Sequence, residues 1–437
     1  MGIQNELLAA YHVPVISFTM NMAGPVKVTA LSHRAFLWGC QQLRLGFSQN
    51  KFPVLETRTR SLPTGDEAYF AIDAPADRVK ALCIEIEEAN RMMGRIFDMD
   101  VIGTDGRKLE RGAERACIVC GKPGRDCASR RLHSVAELQR RTAECLRDGL
   151  FFAAYDRIQT LATRALLEEV AVTPKPGLVD RANNGAHRDM DLSTFQASAA
   201  ALTMYWRSCF GTGHSDQERF RTDADRPVTP SETFARLRPL GKQAERDMLA
   251  ATGGVNTHKG AIFTLGVLCG AAGRLYEPET GFPDAEAILN EAAAMTRETL
   301  AQELPAANWN TAGEGLYRKY GIRGIRGQVA DGLPAVREIS LPVFRQLLAQ
   351  GLDRNHAAAV TLLHLIANVE DTNLLHRGGR DGAAWAKDSA EALLSDSGVP
   401  SLEQIADLDR QFMGKNLSPG GCADLLAVTL FLEALAP

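Results

Sequence analysis

The hydrophobic period of this chain changes once, near residue 150, and that change limits the folds open to it. Before it, short strand-like runs alternate with helical ones. Val13–Met20 (VPVISFTM) is β-branched and aromatic, as a strand should be. Ser32–Leu43 has helical spacing, with Ser32 as its cap. Pro53–Thr59 and Ala68–Ile72 read as strands across the turn LPTGDE. Pro75–Met93 is amphipathic, with Pro75 placed as a first helical residue, and Arg95–Ile102 (RIFDMDVI) returns to strand character. This β-α-β-β-α-β order predicts an α+β N-terminal domain with a mixed sheet.

After the change the pattern is helical nearly throughout. Val135–Leu146 leads into Ala154–Val170, Thr194–Tyr205, Gly260–Leu275, Asp284–Glu303, Ala357–Ile366 and Ala423–Leu435. Several of these are rich in Ala and Gly, which lets helix axes approach closely. An all-α C-terminal domain follows. The chain's 437 residues exceed one typical domain, and we expect domains 1–148 and 149–437 with a short join at 147–153. Asp223–Ser231 reads as a mobile loop.

The formal net charge of −4 gives no global field for nucleic acid or an anionic membrane, so neither is an expected partner. No apolar run reaches the ~18 residues of a spanning helix. No basic segment with a long apolar core opens the sequence, and the nine cysteines then suggest reduced thiols in the cytoplasm.

Chemistry concentrates in a few segments. In GRIFDMD, Asp98 and Asp100 fall on one face of a strand and would repel unless a cation sits between them. Such a pair can hold Mg²⁺ bridged to a polyphosphate, with Arg95 on its oxygens, or it can be a solvated acidic edge. Cys117, Cys120, Cys127 and His133 give C-x₂-C-x₆-C-x₅-H, a ligand set suited to Zn²⁺ or else free thiols in a basic loop.

The second half carries VTPKPGLVDRANNGAHRDMD at 172–191, with Lys175, Asp180, Arg181, Asn184 and His187 in one connection. A loop so dense in charge and turn-formers suits a metal-bound polyphosphate. Asn256, His258 and Lys259 precede a small-residue helix, whose N-terminus favours anions. Glu370 and Asp371 are a solvated helix end or a metal and base pair. Arg377 opens a basic, glycine-rich run that could clamp phosphate. Ser418 and Gly420 lead the last helix, with Asp424 in its first turn, where an acid is often dipole compensation.

TPKPGLVDRANNGAHRDMD, GVNTHKGAIF, VEDTN and NLSPGGCADLLA closely resemble triphosphoribosyl-dephospho-CoA synthases, from about residue 150 onward. PVISFTMNMAGPVK, GRIFDMDVIG and the cysteine run through HSVAEL resemble the citrate lyase holo-acyl-carrier-protein synthase, over about residues 10–146. The resemblance implies a fused, bifunctional transferase. Its C-terminal half would join ATP to 3′-dephospho-CoA with loss of adenine. Its N-terminal half would transfer phosphoribosyl-dephospho-CoA to a serine of the citrate lyase acyl-carrier (gamma) subunit with loss of pyrophosphate.

On that chemistry, Asp180, Glu370, Asp371 and Asp424 are expected metal or base groups and His187 a proton donor. Lys175, Arg181 and Lys259 would hold phosphates. Asn184, Asn256, His258, Arg377, Ser418 and Gly420 would complete substrate binding. Mg²⁺ on Asp98 and Asp100 would serve the transfer step. Three competing readings are a malonate decarboxylase cofactor pathway, a synthase fused to a non-catalytic, zinc-binding carrier chaperone, and an inactive nucleotide sensor.

Overall fold

The computed structural model describes residues 2–90, 92–222, 228–303, 315, 317–318 and 321–435. The expected loop Asp223–Ser231 falls mostly outside this set, at 223–227. The chain forms two compact units, Met1–Ala154 with Glu277–Gly281, and Tyr155–Tyr276 with Phe282–Pro437.

The first unit is built on β1 (Val15–Met20), β2 (Val54–Leu62), β3 (Gly65–Ile72) and β4 (Phe97–Ile102), with α1 (Gly2–Tyr11), α2 (Ala30–Asn50) and α3 (Ala76–Ala89). The strand order is β2-β3-β1-β4, and every pairing is antiparallel. The sheet is therefore not mixed. Each helical crossover skips one position, so the parallel strands it joins are separated by an antiparallel neighbour, a split β-α-β arrangement. Helix α2 starts one turn earlier than its sequence suggests. Thr29 is the cap, and Ser32 answers it: the Ser32 N–H donates to Thr29 Oγ1 at 3.1 Å and the Thr29 N–H to Ser32 Oγ at 2.8 Å.

Alternation along the strands sorts the two faces. Ile16, Phe18, Phe70, Phe97, Met99 and Val101 pack into the core with α2 and α3 residues such as Phe36, Phe47 and Leu82. Val15 and Tyr69 meet Leu7 of α1 on the opposite face. Asp98 and Asp100 lie on that opposite face, in register with Thr19 and Ser17 of β1.

The expected helices Val135–Leu146 and Ala154–Val170 are one helix, Val135–Ala171, of 37 residues. Gly149 was the only break signal in the join, and it serves packing instead: a Cβ there would overlap Met93. The second unit continues in helices, chiefly Leu192–Ala201, Thr203–Thr222, Pro230–Ala251, Lys259–Leu275, Ala285–Glu303, Arg354–Asn368, Thr372–Ser397, Leu402–Gly414 and Gly420–Leu435. Lys259–Leu275 is its buried centre. A Cβ on Gly273 would overlap the Phe210 carbonyl, and one on Gly213 the Gly270 carbonyl, so this helix and Thr203–Thr222 touch backbone to backbone. No helix of the described residues is long and apolar enough to cross a membrane.

Candidate active sites

The loop 172–191 is held by its own polar side chains. Asp180 accepts the N–H groups of Ala182 (2.6 Å), Asn183 (2.9 Å) and Lys175 (3.2 Å). Buried Asp409 fixes the same loop from a distant helix, accepting the Gly177 N–H at 2.8 Å and Asn183 Nδ2 at 2.9 Å. Gly177 has φ +70°, and a Cβ there would overlap the Leu417 carbonyl. Folded this way, the loop places Lys175 and His187 on the wall of a cavity of about 200 Å³.

Lys175 is buried, and its Nζ donates to Glu169 Oε1 at 2.6 Å and to the Glu169 carbonyl at 2.8 Å. Burial pushes the Glu169 carboxyl up, and the Lys175 charge opposes it. His187 accepts from Arg377 at Nδ1 (3.1 Å), so its Nε2–H faces Ser418 Oγ at 2.9 Å. Burial and then the Arg377 charge hold its pKa below the usual histidine range. Arg377 also donates to the Ala186 carbonyl at 2.9 Å, so it ties the loop down while it lines the cavity. Two residues on, Gly379 has φ +65° and interrupts the helix Thr372–Ser397.

Asn256, His258, Lys259, Ser418, Gly420 and Asp424 complete the polar lining. Asp424 sits against the head of the helix Lys259–Leu275 and takes the Ala261 N–H. Gly260 makes that seat, because a Cβ there would overlap Asp424 Oδ2. Burial, then the negative charges of Glu169 and Asp371, raise the Asp424 pKa well above its usual value.

Three expected site acids lie elsewhere. Both Asp371 oxygens are consumed by backbone: Oδ1 takes the Asn373 (2.7 Å) and Leu374 (3.1 Å) N–H groups, and Oδ2 takes the Cys422 N–H (2.8 Å). Asp371 is thus the cap that joins two helix heads. Asp180 is a loop organiser for the same reason, and Glu370 is exposed outside the cavity. Arg181 and Asn184 are also exposed and off the lining; Arg181 binds Thr173 and Asn355. Conversely, Glu169, Phe195, Thr257 and Asn373 line the cavity without having been singled out in the sequence. Glu169 is hidden inside a long helix, where an acid carries no local signal.

In the first unit, Asp98 and Asp100 do share a partly exposed face. Asp100 pairs with Lys108 at 2.5 Å, and Arg115 lies 3.9 Å from Asp98. Arg95 turns away, its Nε donating to the Ala116 carbonyl. The sulfurs of Cys117, Cys120 and Cys127 and a His133 nitrogen all lie within 4.8 Å of one another, a potential metal site. The Lys122 backbone N–H, then His133 and Cys127, hold the Cys120 thiol down to about 6.

Residues 155–437 match the family described as CitG, ATP:dephospho-CoA triphosphoribosyl transferase. Residues 2–149 match CitX, apo-citrate lyase phosphoribosyl-dephospho-CoA transferase. Protein CitXG of Haemophilus influenzae is 33% identical over 98% of this chain and 92% of its own length. The chain belongs to the family of CitX–CitG fusions. Protein CitXG of Leuconostoc mesenteroides subsp. cremoris is 32% identical over 99% of this chain and 94% of its own length. The 2-(5''-triphosphoribosyl)-3'-dephosphocoenzyme-A synthase of Klebsiella pneumoniae is 42% identical over 64% of this chain and 91% of its own. As a CitX–CitG fusion, the chain is a bifunctional transferase that makes the citrate lyase prosthetic group.

Proposed function

We propose that the cavity of the second unit is where ATP and 3′-dephospho-CoA react, and that residues 149–437 form this synthase while 1–148 form the carrier-modifying domain. The observation that carries the reading is convergence. Lys175, His187, Asn256, His258, Lys259, Arg377, Ser418, Gly420 and Asp424 come from four separate segments and line one cavity. The ribose 2′-oxygen of dephospho-CoA attacks C1′ of the ATP ribose as the bond to adenine breaks, the 2′-hydroxyl losing one proton and the departing adenine gaining one. Positive charge grows on that sugar, and the carboxylates of Asp424 and Glu169 oppose it. Asp424 is the candidate base for the 2′-hydroxyl proton, since it lines the cavity and burial with the charges of Glu169 and Asp371 raises its affinity for a proton. Arg377 and Lys259 are placed for the triphosphate.

Mg²⁺ fits this lining, because Asp424 and Glu169 offer oxygen donors whose mutual repulsion a cation relieves. Bound there, it would neutralise phosphate charge. In the first unit, Asp98 and Asp100 would hold Mg²⁺ while the carrier serine displaces pyrophosphate. The cysteine cluster fits Zn²⁺: His133 Nε2 is buried with no hydrogen-bond partner among the described residues, and Nδ1 faces Glu137 at 3.6 Å. One zinc per purified chain, lost in Cys120→Ala, is the expected elemental analysis; zinc-free wild type rejects this part.

The deciding experiment incubates apo-carrier subunit with the protein, ATP, Mg²⁺ and dephospho-CoA, and weighs the carrier. A gain of one phosphoribosyl-dephospho-CoA is expected for the citrate lyase carrier. Labelling only of a malonate decarboxylase carrier rejects the substrate assignment. Adenine release without labelling rejects a catalytic first unit.

A further inference from the structure

His258 is 3% exposed and lines the cavity, yet its two ring nitrogens have opposite surroundings. Nδ1 lies 2.7 Å from Ser198 Oγ. Nε2 is buried and meets no hydrogen-bond partner among the described residues. A buried polar atom left this way is destabilising unless a ligand or water satisfies it.

The Ser198 contact continues. Thr257 Oγ1–H donates to Ser198 Oγ at 2.8 Å. Ser198 is fully buried, so its own hydrogen needs an acceptor within the protein. His258 Nδ1, 2.7 Å away, is the acceptor that Ser198 Oγ faces. A ring nitrogen that accepts carries no proton, and a neutral imidazole has just one N–H, which must then be on Nε2. Other contacts hold this residue in place. Phe195 meets it edge to face, with centroids 5.0 Å apart at 89°, and the His258 backbone N–H reaches Met248 Sδ at 3.3 Å. Burial, and then the ammonium of Lys175 in the same cavity lining, disfavours a second proton on the ring.

The neighbourhood indicates what this N–H meets. The cationic groups suited to phosphate are Lys259 and Arg377, whereas His258 meets Phe195 in a cavity whose lining also includes Leu178, Val179 and Met190. An uncharged donor beside apolar and aromatic side chains matches an uncharged, flat acceptor better than a polyanion.

We infer that Thr257 and Ser198 are positioning residues that fix His258 as a neutral Nε2–H donor to a ring nitrogen of the purine of bound ATP. This rests on reading the cavity as the ATP site. The hydrogen bond strengthens as the purine leaves, because electron density from the breaking bond collects on its ring nitrogens. His258 transfers no proton in this role.

The test uses the full chain labelled with ¹⁵N-histidine, with His258 assigned by its absence in His258→Gln. Long-range ¹H–¹⁵N correlation at pH 7 should show bare Nδ1 and protonated Nε2, and ATP with Mg²⁺ should shift the Nε2–H signal. Ser198→Ala should mix the two tautomers and lower kcat about tenfold, with KM for ATP less changed. His258→Gln, which keeps an N–H near the Nε2 position, should retain more activity than His258→Leu. Should Ser198→Ala not fold, Thr257→Val probes the same relay. A proton on Nδ1, with adenine release intact, overturns the inference alone. A sample that neither shifts nor releases adenine overturns the cavity reading, and the donor assignment with it.

Discussion

Lys175 Nζ lies 2.6 Å from Glu169 Oε1, and both side chains are buried at the cavity wall. Removing one partner of such a pair leaves the other as an uncompensated charge, at about 3–5 kcal/mol. Lys175→Met should therefore lower unfolding stability by about 3 kcal/mol in urea titration and Glu169→Gln by a similar amount. The pair Lys175→Met with Glu169→Leu should recover much of that loss without recovering adenine release. Strictly additive stabilities would show that the two groups do not compensate each other.

Asp424 should be sensitive both to its own chemistry and to the seat that Gly260 provides. Asp424→Asn keeps the size and removes the charge, and adenine release should fall at least about 100-fold. Gly260→Ala puts a methyl where Oδ2 lies, so it should lower the same rate without touching a charged group. In both variants, carrier labelling from supplied triphosphoribosyl-dephospho-CoA should proceed as in wild type. Normal adenine release in Asp424→Asn would remove it from the reaction.

Much of the fold was legible because periodicity is local. The switch near residue 150 separates a strand-rich from a helical region, and β1, β3 and β4 fall where alternation puts them. Strand order was not legible, since neighbour choice depends on which way each crossover turns. In the site, glycine-rich and charged loops marked the lining well: Lys175, His187, His258 and Asp424 all reach the cavity. The expected acids that lie off the lining share one cause. Asp180 and Asp371 are acids in turns, and sequence cannot tell an acid that faces a ligand from one that caps backbone N–H groups. Glu169 and Ser198 were invisible because a single polar residue within a helical pattern resembles surface.

The pH dependence of folding should carry a His258 signature. Burial, then the Lys175 charge, pushes this imidazole from 6.5 down to about 3 in the folded protein. Below pH 6.5 the unfolded chain takes up a proton that the folded site refuses, so stability falls as pH drops from 6.5 toward 3. Above 6.5 the group contributes no slope. The whole effect is at most about 4–5 kcal/mol. Urea midpoints between pH 7 and 5 should decline less steeply in His258→Gln than in wild type. Equal slopes would mean that His258 is protonated in the folded state as readily as in the unfolded chain.

Asp98 tests the division of labour between the two halves. It stands on the sheet face opposite the core, 46% exposed, with Thr19 as its cross-strand neighbour. A side chain so placed adds little to folding, so Asp98→Ala should leave the melting temperature within about 2 °C of wild type. It should nevertheless reduce carrier labelling by about 100-fold or more, because the carboxylate pair with Asp100 would be broken. Adenine release should be unchanged. The measurement is carrier mass and free adenine from one reaction, followed over time. Loss of both would mean that Asp98 also serves the first step; retention of both would show that the Asp98–Asp100 face takes no part in transfer.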